Sequence, residues 1–368
     1  MKQPRRHHWV PRFYLRGFAI PETAESKAPK AWVLHREHGD EKQVGTHNMA
    51  VQRDLYTLFS QDGAPDYRIE QEFSRLEGVV SDLRFWPDLC DDFIDFGSLS
   101  IRKLLSLFLA TLFLRNPARK GSMIEFRQEL LELLDQAPRD RHGIPAVESI
   151  VLGDREVPFD KDGWRAMKAL SEDELHQQFI HSIRPQVGAL AQGLMKKRWS
   201  MLFVDEPLFV TSTDPVFVID PDLQPSQLLG KGAKVICPIS SRRMLCLDDL
   251  DEPGDQYYPL DDTKAVGLYT YFTWVNTTGF MISPRPMPIV LQEMLEFMDD
   301  EKCRYEQDNP GNEEAEYPSS RGNGHFGIRL KCSATAYGKS HVTSGPLVLP
   351  AQEKQKIGRN ASCPCGSG

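Results

Sequence analysis

The sequence has no long apolar run. Its longest, Leu104 to Leu114 (LLSLFLATLFL), has eleven residues. That is short of the roughly 20 needed to cross a bilayer and suits a buried helix. No apolar segment follows the basic start MKQPRRHHWV, so no secretory leader and no membrane association are expected. The expected location is cytoplasmic, where thiols stay reduced. Walker loops and Gly-x-Ser-x-Gly elbows are missing too, which argues against P-loop nucleotidases and elbow-type hydrolases. The acidic run from Asp248 to Asp262 lacks the spacing and closing Glu of a calcium loop and reads as a solvated loop. No internal repeat is visible. Among seven cysteines, Cys90, Cys237, Cys246, Cys303 and Cys332 are scattered and read as plain thiols; only Cys363 and Cys365 form a pattern.

What is present is an ordinary folding composition, 40% hydrophobic and 26% charged over 368 residues, enough for one large domain or two ordinary ones. The net charge of −8 conceals an uneven distribution. Lys2, Arg5, Arg6, Arg12 and Arg16 all precede the first acid, Glu22, whereas acids pool at Asp88, Asp91, Asp92 and Asp95. A basic arm on an acidic body points to an anionic partner or an internal docking contact. Arg5, Arg6, Arg12 and Arg16 are therefore the anion-binding candidates, for nucleic acid or another phosphate ligand. The acidic pI of about 5.7 restricts any such contact to the head.

Periodicity predicts an α+β fold, with central buried helices packed on a mostly antiparallel sheet, followed by a short C-terminal Cys-x-Cys stub. Ala31–Arg36 and Asp54–Phe59 read as strands flanking a polar loop. Ile69, Phe73, Leu76, Val80 and Leu83 recur at helical spacing. A helix capped by Ser98 or Ser100 runs to Leu114 and is apolar on most faces, which places it centrally. Met123–Leu134 reads as amphipathic helix and residues 137–163 as loop. Ser171 with Glu174 three residues on forms a capping box for a helix reaching Met195, bent at Arg184–Pro185. WSMLFVDE, PLFVTST, VFVID, KVICPIS and RMLCLDD then read as one antiparallel sheet, followed by helices at 262–276 and 289–298. Composition turns linker-like near Tyr305, with an apolar patch at His325–Leu330 suited to docking on the body. The expected organisation is a domain over residues 1–300, a linker over 301–356 and a tail over 357–368.

Three clusters carry candidate chemistry. His7 and His8 are adjacent, so a regular strand sends them to opposite faces and only one can serve a given site. Pro4 and Pro11 favour an irregular segment instead. One such His could act as general base or metal ligand, or be simply hydrogen-bonded structure. Glu70 and Glu77 are two helical turns apart on one face, as a metal or acid–base pair requires, but nearby Arg68, Arg75 and Arg84 also fit a solvated stripe. Thr211 to Asp214 end an apolar run before Pro215, a place where sites and plain turns are both built.

The head, HHWVPRFYLRGF from His7 to Phe18, resembles the opening signature of the domain of unknown function 4238 family, HHxVPxFYLRxF. Glu70 and Glu77, Arg115-Asn116-Pro117, Thr211 to Pro215 and Asn276 resemble later landmarks of that family, so the likeness spans roughly residues 5–295. This chain has Ser212-Thr213-Asp214-Pro215 where the family commonly has Ser-Asp-Asn-Pro. The resemblance implies no established activity. A similar HHxxP string occurs in some HNH-type nucleases, but no CxxC pair or ββα pattern accompanies it. At the other end, IGRN and Cys363-Pro364-Cys365-Gly366-Ser367-Gly368 resemble the SEC-C zinc motif, which continues with a second ligand pair about eight residues later. Two thiolates leave a tetrahedral zinc shell open. The expectations are a stub that binds nothing tightly, a site completed by His341, His325, Cys332 or Cys303, or a zinc shared with another chain or a protein partner.

The resulting expectation is that His7, His8, Glu77, Arg115, Asp214 and Asn276 converge on one polar pocket, with Cys363 and Cys365 as the metal ligands of the tail. If catalytic, His, carboxylate and Arg fit a metal-assisted hydrolase of phosphodiesters or nucleic acid, using a second divalent metal of unspecified identity. The alternative is a non-enzymatic interaction module whose tail docks a protein partner.

Overall fold

Pro11 has a fixed φ and no N–H to leave unpaired, so it serves as N-cap where the head turns from strand to helix. The structure, a computed structural model, describes residues 5–60, 62–152, 155–219, 228–230, 232–250, 256–260, 263–308 and 328–332. The head forms strand β1 (Arg6–His8) and helix α1 (Arg12–Arg16), then α2 (Pro21–Ala24). Strands β2 (Lys30–His35) and β3 (Glu41–Gly45) make an antiparallel hairpin, followed by a 3₁₀ turn at Thr46–Asn48 and β4 (Val51–Arg53), which pairs with β1. The β2 hairpin therefore closes on Glu41–Gly45. The 54–59 run instead ends in β5 (Leu58–Phe59), paired with β6 (Pro65–Asp66).

Helix α3 (Arg68–Val80) buries Phe73 and Val80 and is followed by α4 (Phe85–Asp91) and α5 (Leu99–Leu114). Helix α5 contributes Leu105, Phe108, Leu109, Ala110 and Leu112 to the largest apolar cluster, as its all-round apolar sequence requires. Arg115 and Asn116 make the joint to α6 (Pro117–Gln136), with Pro117 at the first helical position and Asn116 accepting the Ala118 N–H. The stretch expected as loop holds β7 (Val147–Leu152), β8 (Arg155–Pro158) and the start of α7 (Lys161–Ala169). Helix α8 (Glu172–Leu194) has the Ser171–Glu174 capping box and contains Pro185.

Strands β9 (Arg198–Phe203), β10 (Thr211–Ser212), β11 (Phe217–Ile219), β12 (Lys234–Ser240), β13 (Arg243–Asp248) and β14 (Gln256–Pro259) follow. Five of them order as β11-β12-β13-β9-β14, antiparallel except for the β9–β14 pair. Helix α9 (Thr263–Asn276), β15 (Phe280–Ser283), α10 (Met287–Asp308) and β16 (Ile328–Cys332) complete the described chain. The short β10 leaves the large sheet and pairs with β15 in a second sheet, β10-β15-β2-β3, which joins the N-terminal hairpin to Phe280–Ser283. Strand β16 pairs with β7. The architecture is α+β, and among the described residues no helix is long and apolar enough to cross a membrane. Cys363 and Cys365, with the knuckle stub, lie outside the described residues, as do His325 and His341.

Candidate functional site

Strand β1 is regular, so its two histidines part. His7 points inward and is fully buried, while His8 is half-buried on the outer face. The Tyr56 backbone N–H donates to His7 Nδ1 at 3.0 Å, and the two rings stack with centroids 5.9 Å apart. An accepting Nδ1 puts the neutral ring's proton on Nε2. Glu70 Oε2 lies 4.0 Å from Nδ1, too far for a hydrogen bond and facing an atom already occupied.

Glu70 and Glu77 stand on the same face of α3 and meet Arg115 at the end of α5. Arg115 is 2% exposed. Its Nη1 donates to Glu77 Oε1 at 2.6 Å and its Nε to the Trp9 carbonyl at 2.8 Å, while its guanidinium covers the Phe73 ring at 5.4 Å. Nη2 is buried and has no hydrogen-bond partner. Tyr56 Oη donates to the Arg115 carbonyl at 2.7 Å, tying this joint to the residue that holds His7. Burial pushes the Glu70 carboxyl up to about 7, Glu77 adds to the rise, and Arg115 opposes it. A carboxyl balanced near neutrality therefore lies in the field of a buried guanidinium with an unused donor. The solvated-stripe alternative for these glutamates fails, because their side chains are only 19% and 28% exposed and Arg68 is engaged by Asp66 instead.

Asp214 forms a second centre, 6% exposed. Its Oδ1 accepts from Asn116 Nδ2 at 2.9 Å. Its Oδ2 accepts from the Thr278 N–H at 2.8 Å, Thr278 Oγ1 at 3.0 Å, Thr213 Oγ1 at 3.1 Å and Thr277 Oγ1 at 3.3 Å. A carboxylate so fully bonded is a structural anchor, since its lone pairs are committed. It connects to the first cluster through the Thr213 carbonyl, which accepts both Asn116 Nδ2 and Trp9 Nε1. The head is thereby bolted to the α5–α6 joint and to the β10 turn at once. Tyr14 adds a bolt nearby, its Oη donating to the Pro238 carbonyl at 2.5 Å and lying 2.7 Å from Thr211 Oγ1.

On the outer face, His8 Nε2 donates to the His47 carbonyl at 3.3 Å. Burial lowers its pKa to about 4, the His47 hydrogen bond opposes this, and the cations Arg12, Arg6 and Arg115 lower it further. Arg6, His8, Arg12, Lys27, Ala28 and His47 line an open depression of about 470 Å³. Arg6 Nη2 reaches Asn48 Oδ1 at 2.9 Å and the His47 carbonyl at 3.1 Å. Arg5 is taken by Asp54, and Arg16 donates to the Ser26 carbonyl.

The expected convergence is thus divided. His7, Glu77 and Arg115 come together, Asp214 is joined to them through Asn116 and Trp9, and His8 faces away. Asn276 Nδ2 donates to the Phe272 carbonyl of its own helix, and its neighbours Thr277 and Thr278 hold Asp214 instead. Sequence reasoning passed over Tyr56, Thr277 and Thr278, met Asn116 only as part of a family landmark, and weighed Glu70 with Glu77 without placing it in the converging set. Asn before Pro was the readable signal, since that pair marks a helix start. No group of three or more His, Cys, Asp or Glu side chains is placed to hold a metal among the described residues.

The family model for "Protein of unknown function (DUF4238)" matches residues 6–277, from the strand that carries His7 to the threonines that hold Asp214. The chain belongs to that family. Both polar centres of this DUF4238 protein fall almost wholly within the matched span, and only Thr278 lies just beyond it. No curated protein and no solved structure matches the chain.

Proposed function

We propose that the protein is a hydrolase of phosphodiesters, with Glu70 as general base and Arg115 as the buried cation whose field favours the phosphate's negative charge. One observation carries this reading: a carboxyl poised near pH 7 lies in the field of a buried guanidinium that Glu77 holds in place and whose Nη2 donates to nothing. A general base is most effective when its pKa lies near the working pH. An oriented guanidinium stabilises charge that develops on phosphoryl oxygens. In the proposed step, water adds to phosphorus as the bond to the leaving oxygen breaks. Glu70 takes the water proton and later releases it to solvent, the leaving oxygen takes a proton from solvent, and the positive field of the buried Arg115 guanidinium offsets charge developing on the non-bridging oxygens. His7, Tyr56 and Glu77 position these two groups.

No step is routed through a metal. His7 Nδ1 is engaged by Tyr56 and Glu77 by Arg115, so these donors do not form an open coordination shell. Zinc at Cys363 and Cys365 remains a proposal about residues outside those described. The test is turnover of a chromogenic phosphodiester at pH 8 by the wild-type protein, Glu70→Gln and Arg115→Lys. The expected result is turnover lost in Glu70→Gln and reduced in Arg115→Lys, with both variants folded by circular dichroism. Equal turnover in all three, or none in the wild type, overturns the reading and leaves the cluster as a fastening for the head.

A further inference from the structure

We infer that the outer face of the head is a docking site for the phosphate backbone of a nucleic acid, seated in the depression lined by Arg6, His8, Arg12, Lys27 and His47. This site lies on the other side of β1 from Glu70 and Arg115, so it stands or falls separately from the hydrolytic reading. Its charge is uncompensated. Arg6 spends its hydrogen bonds on a carbonyl and a carboxamide, both neutral. Arg12 and Lys27 are exposed and make no ion pair among the described residues. The protein carries 52 acids against 44 Lys and Arg, yet the lining of this depression brings three exposed cations together and includes no acid.

The neighbouring depression, about 490 Å³, shares Arg6 and adds Arg5, Val51, Gln52 and Arg53. Both of its other arginines lean on Asp54, so it extends the track in shape while adding little net charge. His8, held uncharged, leaves the positive field to the three flexible cations and buttresses the floor through the His47 carbonyl. The cations come from β1, α1 and the turn after α2, spread along an open trough rather than closed around one point. That arrangement suits a chain of evenly spaced phosphates better than a single phosphate ion.

Fluorescence anisotropy of a labelled single-stranded oligonucleotide with the full chain, over a range of salt, tests this. Three phosphate contacts on a single strand give a slope of log K against log salt of about −2. Arg12→Glu with Lys27→Glu should weaken binding at low salt by about tenfold or more and bring the slope to about −0.7 or shallower. Arg6→Gln, a milder change, should flatten the slope by about 0.7. Thermal melting of each variant checks the fold, which these exposed positions should leave unchanged. Absence of binding at low salt overturns the proposal, as does binding that the double variant retains in full. Equal binding of polyglutamate or anionic vesicles overturns the assignment to nucleic acid.

Discussion

Glu70 and His8 give the protein two titrations of opposite sign. The folded-state pKa of Glu70, about 7, lies above its ordinary 4.5, so the folded protein binds that proton more tightly than the unfolded chain. Stability therefore falls as pH rises from about 4.5 to 7, by about 3 kcal/mol in all. Glu70→Gln should leave stability near pH 4 little changed and raise it at pH 8 by up to that amount, measured by urea unfolding at both pH values. For His8 the folded pKa of about 4 lies below its usual 6.5, so stability is lost as pH falls through that interval. Removing the ring with His8→Gln should flatten the acid side of the stability curve. Asp214 is of a different kind. Asp214→Ala strips the acceptor from the Thr278 N–H, from the buried Thr213 and Thr277 hydroxyls and from one of the two bonds that Asn116 Nδ2 makes. A loss on the order of 3 kcal/mol or more is expected from unsatisfied donors alone, and calorimetric melting would show it.

Among the secondary elements, the α9–α10 contact leaves no room for a side chain at Gly267. A Cβ on Gly267 would meet the Glu293 carbonyl oxygen and Phe297 Cβ, each at 2.8 Å. Alanine improves helix propensity by about 1 kcal/mol, but separating two packed helices costs about 1–3 kcal/mol. Gly267→Ala should therefore destabilise the protein on balance, whereas the same change at Gly188, within α8 and with nothing near it, should stabilise it. Elements with a strong local signature were readable from residues alone. Ser171 with Glu174 announced α8, and the apolar run before Arg115 announced the central helix. Elements whose identity depends on partners were not. Asp54–Phe59 looks like a mate for β2, yet Glu41–Gly45, polar and exposed, takes that place because the turn between them is short. Thr211–Ser212 reads as a continuation of the large sheet, but pairs with β15, more than sixty residues later.

At the scale of the whole molecule, the basic head is a clamp. Trp9, Tyr14 and the Arg115–Trp9 bond fasten it to the α5–α6 joint and to the β10 region, and the same strand that buries His7 leaves Arg6 and His8 outside. The residue types of the candidate site were legible as histidines, paired glutamates and an arginine at a helix end. Their division into an inner cluster, an anchor at Asp214 and an outer basic trough was not. It follows from the regularity of β1 and from tertiary hydrogen bonds to Tyr56, Asn116 and Thr278, which no spacing encodes. The family match over residues 6–277 spans this arrangement almost entirely. The most direct test of the inner cluster is the pH dependence of phosphodiester turnover by the wild-type protein. The rate should rise with pH through a midpoint near 7 to a plateau, following ionisation of Glu70. A rate that is flat from pH 5 to about 9, or that rises with a midpoint near the ordinary carboxylate value of about 4.3, would contradict it.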